Sequence, residues 1–336
     1  MSMVSILDCT LRDGSYAVDG GWSVEATQHI CRALQDAGVE RIEIGHGVGL
    51  NGSSSGPGPF AASDREYCEA AAQILTRARF GTFFIPGIGR HEDLDIAASL
   101  GMKFVRIGTN ATQVTQAGPY LEHAKRLGLE VFYNAMKSYL LSPSALAKEV
   151  RQVFDCGADH VCVVDSAGCM LPDEVRAYVS ELRSSCQCSV GFHGHNNLML
   201  AVANCLSAIS AGAAIIDGTL QGIGRGGGNA QTEALVAVLD KLGVATGIDL
   251  MKVLCAGETL VRPMMQTGGN SSLDIAIGSG GFHSSFLPRV QSVARRIPVD
   301  PKRLIIALGE VDRAEPSEDV IAEVALSLLE KDAQSQ

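Results

Sequence analysis

Through residues 1–243, short apolar runs rich in β-branched residues alternate with longer segments whose apolar positions recur at helical spacing. The runs "MVSILDCT", "RIEIG", "RFGTFFIP", "FVRIGTN", "EVFYNAM", "HVCVVDS", "SVGFHGHN" and "IIDGTL" read as eight strands. Between them, "SVEATQHICRALQDAGV", "LEHAKRLGL", "SPSALAKEVRQVFDCGA" and "PDEVRAYVSELRSS" carry Ser or Pro starts and Gly stops, the punctuation of helices. Strand and helix repeating at about 25–30 residues imply parallel pairing through helical crossovers, and eight such units close a (β/α)8 TIM barrel. A doubly wound open sheet is the alternative, but it gathers its site at one switch point. Here unusual polar residues follow nearly every strand. From residue 244 the alternation stops, and "SSLDIAIGSGGFHSSFLPRVQSVARRI" and "SEDVIAEVALSLLEK" predict helices. The expected organisation is a TIM-barrel catalytic domain over 1–243 and a mainly helical C-terminal domain over 244–336, packed near the barrel mouth.

Composition narrows the setting. A chain of 336 residues, 46% hydrophobic with one Trp and a net charge of -10, describes a globular protein. No apolar run approaches the roughly 18 residues that span a bilayer, and no basic segment leads into an apolar stretch at the N-terminus. A cytoplasmic protein with no membrane contact is expected. Ten cysteines, several inside apolar runs, read as small buried hydrophobes rather than a disulfide framework. Cys186 and Cys188 form a close pair without a second pair to complete a zinc site. Nucleic acid is not expected, because no basic stripe with interleaved aromatics occurs, and "SVARRIPVDPKR" reads as a helix surface.

The polar residues after the strands are the candidate chemistry: Arg12 and Asp13, Glu43 and His46, Asn134 and Lys137, Asp165 and Ser166, and His193 with His195. In a barrel they converge on one mouth. On a strand, the two histidines of "GFHGHNN" face one side about 6.6–7 Å apart, so both rings can reach one cation, with Asp13 available across the mouth. Two imidazoles and a carboxylate leave about three octahedral positions open, which suits Mn²⁺, Mg²⁺, Fe²⁺ or Co²⁺ and permits zinc. The run "GIGRGGGN" over 222–229 has the spacing of a dinucleotide fingerprint but falls on the eighth unit, where the fingerprint does not belong. Its glycines are expected to bring backbone amides near an anion or to make a tight turn, with Asn229 capping the next helix. "GHGVGLNGSSSGPGPF" over 45–60 is a long loop, a lid or a surface insertion.

Taken together, "TLRDGS", "IEIGHGVGLNGSS", "PGIG", "VDSAG", "HGHNNLMLAVAN" and "GIGRGGGNAQTE" resemble the metal-dependent pyruvate aldolases, within the barrel superfamily of 2-isopropylmalate synthase, homocitrate synthase and 3-hydroxy-3-methylglutaryl-CoA lyase. The likeness runs nearly end to end, including "HSSFL" and "EDVIAEVALSLL". It implies a divalent cation, Mn²⁺ first, on Asp13, His193 and His195, with the 2-oxo acid bound through its carboxylate and keto oxygen. Arg12 would address the developing oxyanion. Ser166, His46 and Asn134 are expected substrate contacts, although the Ser166 hydroxyl equally suits capping of the following turn. The expected reaction is reversible cleavage of a 4-hydroxy-2-oxo acid to pyruvate and an aldehyde. Claisen-type transfer from acyl-CoA to a 2-oxo acid is the second reading, and an inactive partner-binding subunit the third. Relatives that share the C-terminal region pair with an acylating aldehyde dehydrogenase, so such a partner and an oligomer are expected.

One position departs from the family. Where the aldolases carry a histidine thought to remove the 4-hydroxyl proton, this chain has Tyr16, and where a tyrosine precedes "SSFL" it has His283. The pair reads as exchanged, with His283 the base and Tyr16 a donor or positioner. Glycines 278, 280 and 281 are expected to let the segment before His283 bend towards the mouth.

Overall fold

The computed structural model describes residues 4–54, 60–186, 189–265 and 271–334. Strands β1 (Ser5–Leu11), β2 (Arg41–Ile44), β3 (Arg79–Phe84), β4 (Phe104–Asn110), β5 (Glu130–Met136), β6 (His160–Asp165), β7 (Ser189–Gly194) and β8 (Ile215–Gly218) pair in parallel in sequence order. β8 pairs back onto β1 and closes the barrel. The eight expected strands are all present. Helices α1 (Val24–Ala37), α2 (Asp64–Ile74), α3 (His91–Ser99), α4 (Gly118–Arg126), α5 (Pro143–Asp155), α6 (Pro172–Ser185), α7 (Ala201–Ser210) and α8 (Thr232–Lys241) each follow one strand. Their starts follow the sequence signals: Ser23, Ser63 and Ser142 cap α1, α2 and α5 through their hydroxyls, and Pro143 and Pro172 open α5 and α6.

Alternation along the strands divides two environments. Outward residues such as Ile42, Ile44, Val105, Ile107, Val131 and Val163 pack under the helices in one continuous core. Inward residues form successive tiers. At the N-terminal ends, Arg41 (2.8 Å), Arg79 (2.9 Å) and His160 (2.8 Å) converge on Glu130. Next comes an apolar plug of Leu7, Cys9, Phe104, Phe132 and Ile215. One inward position further along their strands stand the buried charges Glu43, Arg106 and Asp217, directly beneath the mouth.

The domain boundary lies later than the expected 243/244. Val244, Ile248, Val253, Ala256 and Val261 belong to the barrel core, and α9 (Leu250–Ala256) lies against α1. A helix of two turns cannot bury an apolar face alone, so this segment uses the barrel's surface. A second core, with Ile277, Phe282, Val290, Val293, Leu304, Ile305, Leu308 and Ile321, is built by α10 (Ser272–Gly280), α11 (Leu287–Arg296), α12 (Pro301–Gly309) and α13 (Glu318–Gln334). The packing therefore divides the chain between Met265 and Ser271. Gly278 and Gly280 lie inside α10 rather than in a bend. Gly281 ends that helix at φ +60°, a left-handed cap that turns the chain towards His283. Among the described residues no helix is long and apolar enough to cross a membrane.

Candidate active site

The pairing of β1 with β2 shifts register between Asp8 and Leu11, and β1 gives way to a 3-10 turn over Asp13–Ala17. That irregularity turns Arg12 and Asp13 into the mouth. Arg12 is buried, with Nε donating to Glu43 Oε2 (2.8 Å) and Nη1 to Asp13 Oδ1 (2.7 Å). Burial opposes its charge, but Glu43 and Asp13 more than offset this and hold the guanidinium's pKa above its ordinary value. Burial likewise opposes the Asp13 carboxylate, yet Arg12, then His195 and His193, hold it well below the usual range. The adjacent cation and anion are thus both ionised at neutral pH.

His193 is the penultimate residue of β7, and His195 lies just past the strand in a bridge with Asn229. The rings stand 5.1 Å apart, nearly perpendicular. His193 Nδ1 bonds to Asp217 Oδ2 (2.8 Å), and His195 Nδ1 donates to Gly228 O (3.1 Å), which turns Nε2 of each ring away from these partners, that of His195 meeting Arg225 Nη2 (3.1 Å). Burial pulls the His195 imidazole down to about 3 against the opposing influence of Asp13, so the ring is neutral. Ligand atoms of Asp13, His193 and His195 lie within 4.8 Å of one another. The set fits a divalent cation: one carboxylate and two imidazoles, each imidazole oriented from behind. Cys9, His193 and Asp217 also converge, but there Arg106 bonds to Cys9 Sγ (3.2 Å) and to Asp217, so a guanidinium already supplies the positive charge.

The glycine-rich run serves this centre. Asn229 does not cap α8, whose N-cap is Gln231; its Nδ2 donates instead to Asp13 Oδ2 (2.6 Å). Gly224 passes so close that a Cβ there would stand 2.7 Å from Asp13 Oδ2. Neither a dinucleotide fingerprint nor a helix cap, the loop scaffolds Asp13 and His195.

A cavity of about 620 Å³ opens at the mouth, lined by Arg12, Asp13, Tyr16, Asn134, Ser166, His193, His195 and His283, and by Lys137, Arg225 and Ser285. The Asn134 amide oxygen is buried without a partner among the described residues. Ser166 does not cap its own turn. Its Oγ accepts the Lys137 N–H (2.9 Å), while Asp165 takes the turn's N–H groups of Cys169 and Met170. His46 is the exception among the expected substrate contacts. It is fully buried behind the cavity wall, its ring stacked on Phe60 at 3.9 Å and Nδ1 accepting the Val48 N–H. Residues 45–54 of the long loop are folded, with Leu50 N–H on Phe83 O (2.9 Å) and a 3-10 turn at Gly52–Ser54; residues 55–59, like Cys188, lie outside the described residues.

Arg225 and Ser285 are cavity residues absent from the sequence candidates, Arg225 being hidden among glycines read for backbone geometry alone. Its guanidinium reaches Ser284 Oγ (2.6 Å), His195 Nε2 (3.1 Å) and Ser166 O (3.4 Å), joining the barrel to the C-terminal domain. Arg106 and Asp217, inside strands read for their apolar pattern, were also unremarked.

Comparison with known proteins accords with this geometry. An HMGL-like family model matches residues 3–260, and a DmpG-like communication domain model matches 270–330. The chain is 39% identical to a 4-hydroxy-2-oxovalerate aldolase of Carboxydothermus hydrogenoformans over 97% of both proteins. It is 41% identical to one of Thermomicrobium roseum over 97% of this chain and 92% of that protein. Among solved structures, the N-terminal domain of a putative aldolase from Bacteroides vulgatus superposes with a TM-score of 0.73 at 26% identity, covering 84% of this chain and 94% of that one. The carboxyl transferase domain of Rhizobium etli pyruvate carboxylase shares the fold (TM-score 0.79, 15% identity, 98% of this chain and 60% of that one). By sequence over nearly its whole length, and by its barrel and C-terminal domain together, the chain belongs to the 4-hydroxy-2-oxovalerate aldolase family.

Proposed function

We infer that this protein is a carbon–carbon lyase that reversibly cleaves a 4-hydroxy-2-oxo acid to pyruvate and an aldehyde with the aid of a divalent metal. The observation that carries the reading is the convergence of Asp13, His193 and His195 beside a buried, doubly paired Arg12. A divalent cation bound there supplies positive charge against the enolate that forms as C3–C4 breaks. The mixed nitrogen and oxygen donors with open positions suit Mn²⁺. Glu43 and Asp13 fix the plane of Arg12, which donates to the developing oxyanion. The Ser166 hydroxyl is suited to the substrate's carboxylate and the unpartnered Asn134 amide oxygen to its hydroxyl.

Cleavage begins with loss of the 4-hydroxyl proton. The C4–O electrons become the aldehyde carbonyl, the C3–C4 pair passes to the enolate, and a proton returned to C3 gives pyruvate. Burial holds Tyr16 up to about 12, so it is a donor at neutral pH. The Ser285 N–H can only donate, so the His283 Nδ1 it meets at 3.2 Å is an acceptor, and the Ser285 hydroxyl lies 2.6 Å from the same atom. The base is this pair: Ser285 takes the substrate proton as its own passes to His283. Burial, then Arg225, Lys137 and His195, hold the imidazole well below its ordinary value, with Asp13 opposing. The unprotonated ring is the active form, so kcat/KM falls on the acidic side only as pH drops through that lowered value, below about 6.5. His283→Ala should remove this acidic limb and slow turnover about 10²–10⁴-fold, whereas Tyr16→Phe keeps the limb. Near-parental kinetics in His283→Ala would refute the assignment. A coupled pyruvate assay over a panel of 4-hydroxy-2-oxo acids, with and without Mn²⁺, tests the reaction itself; thiol release from acyl-CoA and a 2-oxo acid would point to acyl transfer instead.

The described cysteines are all free, which suits a reducing compartment and a cytoplasmic location. We propose further that the C-terminal domain meets an acylating aldehyde dehydrogenase that receives the aldehyde. Support comes from the communication-domain match and from Leu326 on α13, which is 52% exposed. Val320, Ile321, Val324, Ala325 and Leu328 of that helix pack within its own domain. Co-elution with such a dehydrogenase in gel filtration is expected, and separate elution counts against it; the same column reports the oligomeric state.

A further inference from the structure

The charges around the cavity do not cancel. Arg12 is balanced by Glu43, which it shares with Arg106 while Arg106 also pairs with Asp217. Asp13 offsets half of a divalent cation, and the C1 carboxylate of a bound 2-oxo acid offsets the other half. Two cations remain. Arg225 touches neutral partners, namely Ser284 Oγ, Ser166 O, His195 and His283 Nδ1 (3.4 Å), and among the described residues no carboxylate lies within 4.0 Å of its guanidinium. Lys137, buried at the end of β5, donates to Ala314 O (2.8 Å) and lies over the Phe286 ring at 5.1 Å. Asp312 and Glu315 act on it from a distance without forming an ion pair.

Both cations are placed for the cavity. Lys137 adopts φ +55° and ψ +45°, a conformation costly for a residue with a Cβ, anchored by its N–H on Ser166. Arg225 reaches the carbonyl of the same Ser166 (3.4 Å), and both cations act on His283. The Nε2 lone pair of His195 serves one partner at a time, so a cation on that nitrogen frees Arg225 Nη2. A partly desolvated guanidinium and a buried ammonium with neutral partners are costly unless an anion arrives.

Building on the aldolase reading, we propose that Arg225, with Lys137, selects 4-hydroxy-2-oxo acids that carry a second anionic group, carboxylate or phosphate, on the aldehyde side. The aldehyde product then retains that anion. Arg225 is the specificity determinant and Lys137 the supporting charge. A bidentate guanidinium pairs with either anion, and a neutral tail leaves both cations uncompensated.

The test compares three substrates with Mn²⁺ present: 4-hydroxy-2-oxovalerate with a neutral tail, 4-hydroxy-2-oxoglutarate with a carboxylate, and a 4-hydroxy-2-oxo acid ending in phosphate. The parent should favour at least one anionic tail by about 10–100-fold in kcat/KM, and the better of the two identifies the anion. In Arg225→Ala that ratio should collapse towards one, chiefly through KM, and Arg225→Lys should restore part of it. Calorimetry gives a readout without turnover: 2-oxoglutarate should bind the parent more tightly than 2-oxobutyrate by about tenfold or more, and Arg225→Ala should erase the difference. Equal losses on all three substrates would place Arg225 at the metal or the C1 carboxylate and overturn the proposal, as would a parent indifferent to the tail. Absence of pyruvate from every substrate overturns the aldolase reading and this inference together, whereas pyruvate release without tail preference overturns this inference alone.

Discussion

His195→Ala should lose both metal and turnover while the barrel stays folded. The ring contributes one of three converging protein donors, its tautomer fixed by Gly228 O. Mn²⁺ affinity should fall by more than the roughly 10–100-fold that loss of a supporting hydrogen bond alone produces. The fold tolerates the change because His195 lies beyond β7 and leaves the apolar tiers intact. Arg12→Ala makes the contrast. It should retain the metal and lose about 10²–10³ in kcat, since Glu43 keeps Arg106 as a partner (3.1 Å) and Asp13 keeps Asn229. Mn²⁺ titration followed by electron paramagnetic resonance separates the two outcomes. Parental Mn²⁺ affinity in His195→Ala would mean that the cation is held elsewhere.

Arg106→Met should destabilise the barrel by about 3–5 kcal/mol, the usual cost of leaving buried charge unpaired. Arg106 is 1% exposed, and it bridges Glu43 and Asp217 across the barrel. Arg106, against the cost of burial, also holds the Asp217 carboxyl below its ordinary value. Its removal leaves Asp217 with the His193 hydrogen bond but without its guanidinium partner, and loosens the carboxylate that orients the His193 ring. The midpoint of denaturant unfolding should therefore drop, and Mn²⁺ affinity should weaken as well. Arg106→Met combined with Asp217→Asn should recover part of the stability by removing one stranded charge. A loss below about 1 kcal/mol in the single variant would show that water or relaxation compensates the carboxylates, contrary to the burial seen here.

Much of this molecule was legible in its sequence because the signals are local. Period-two apolar runs, 3.6-residue periodicity and Ser, Pro and Gly at helix ends specify strands and helices wherever they occur, and eight repeats leave one closed topology. His193 and His195 could be paired by strand geometry, and Arg12 and Asp13 could be placed at a mouth because barrel loops share one face. What failed depended on contacts distant in sequence. His46 has the chemistry of a substrate contact, but Gly52 and Phe60 enclose it behind the wall. Asn229 sits one turn before α8 and resembles a cap, yet Asp13, 216 residues away in sequence, takes its amide. The domain boundary moved because α9 finds its apolar partner on α1, a choice no local pattern encodes.

The sequence by itself determined the barrel and the family and brought His193 and His195 together, since each rests on residue types at fixed short spacing. Tertiary structure alone decided the rest. Strand closure set Arg106 between Glu43 and Asp217, loop approach put Asn229 on Asp13, and packing of the C-terminal helices brought His283 and Ser285 to the cavity beside Arg225. The physical reason is that charge pairing, proton position and ligand selectivity act through distances of a few ångströms in space, which separation along the chain does not report.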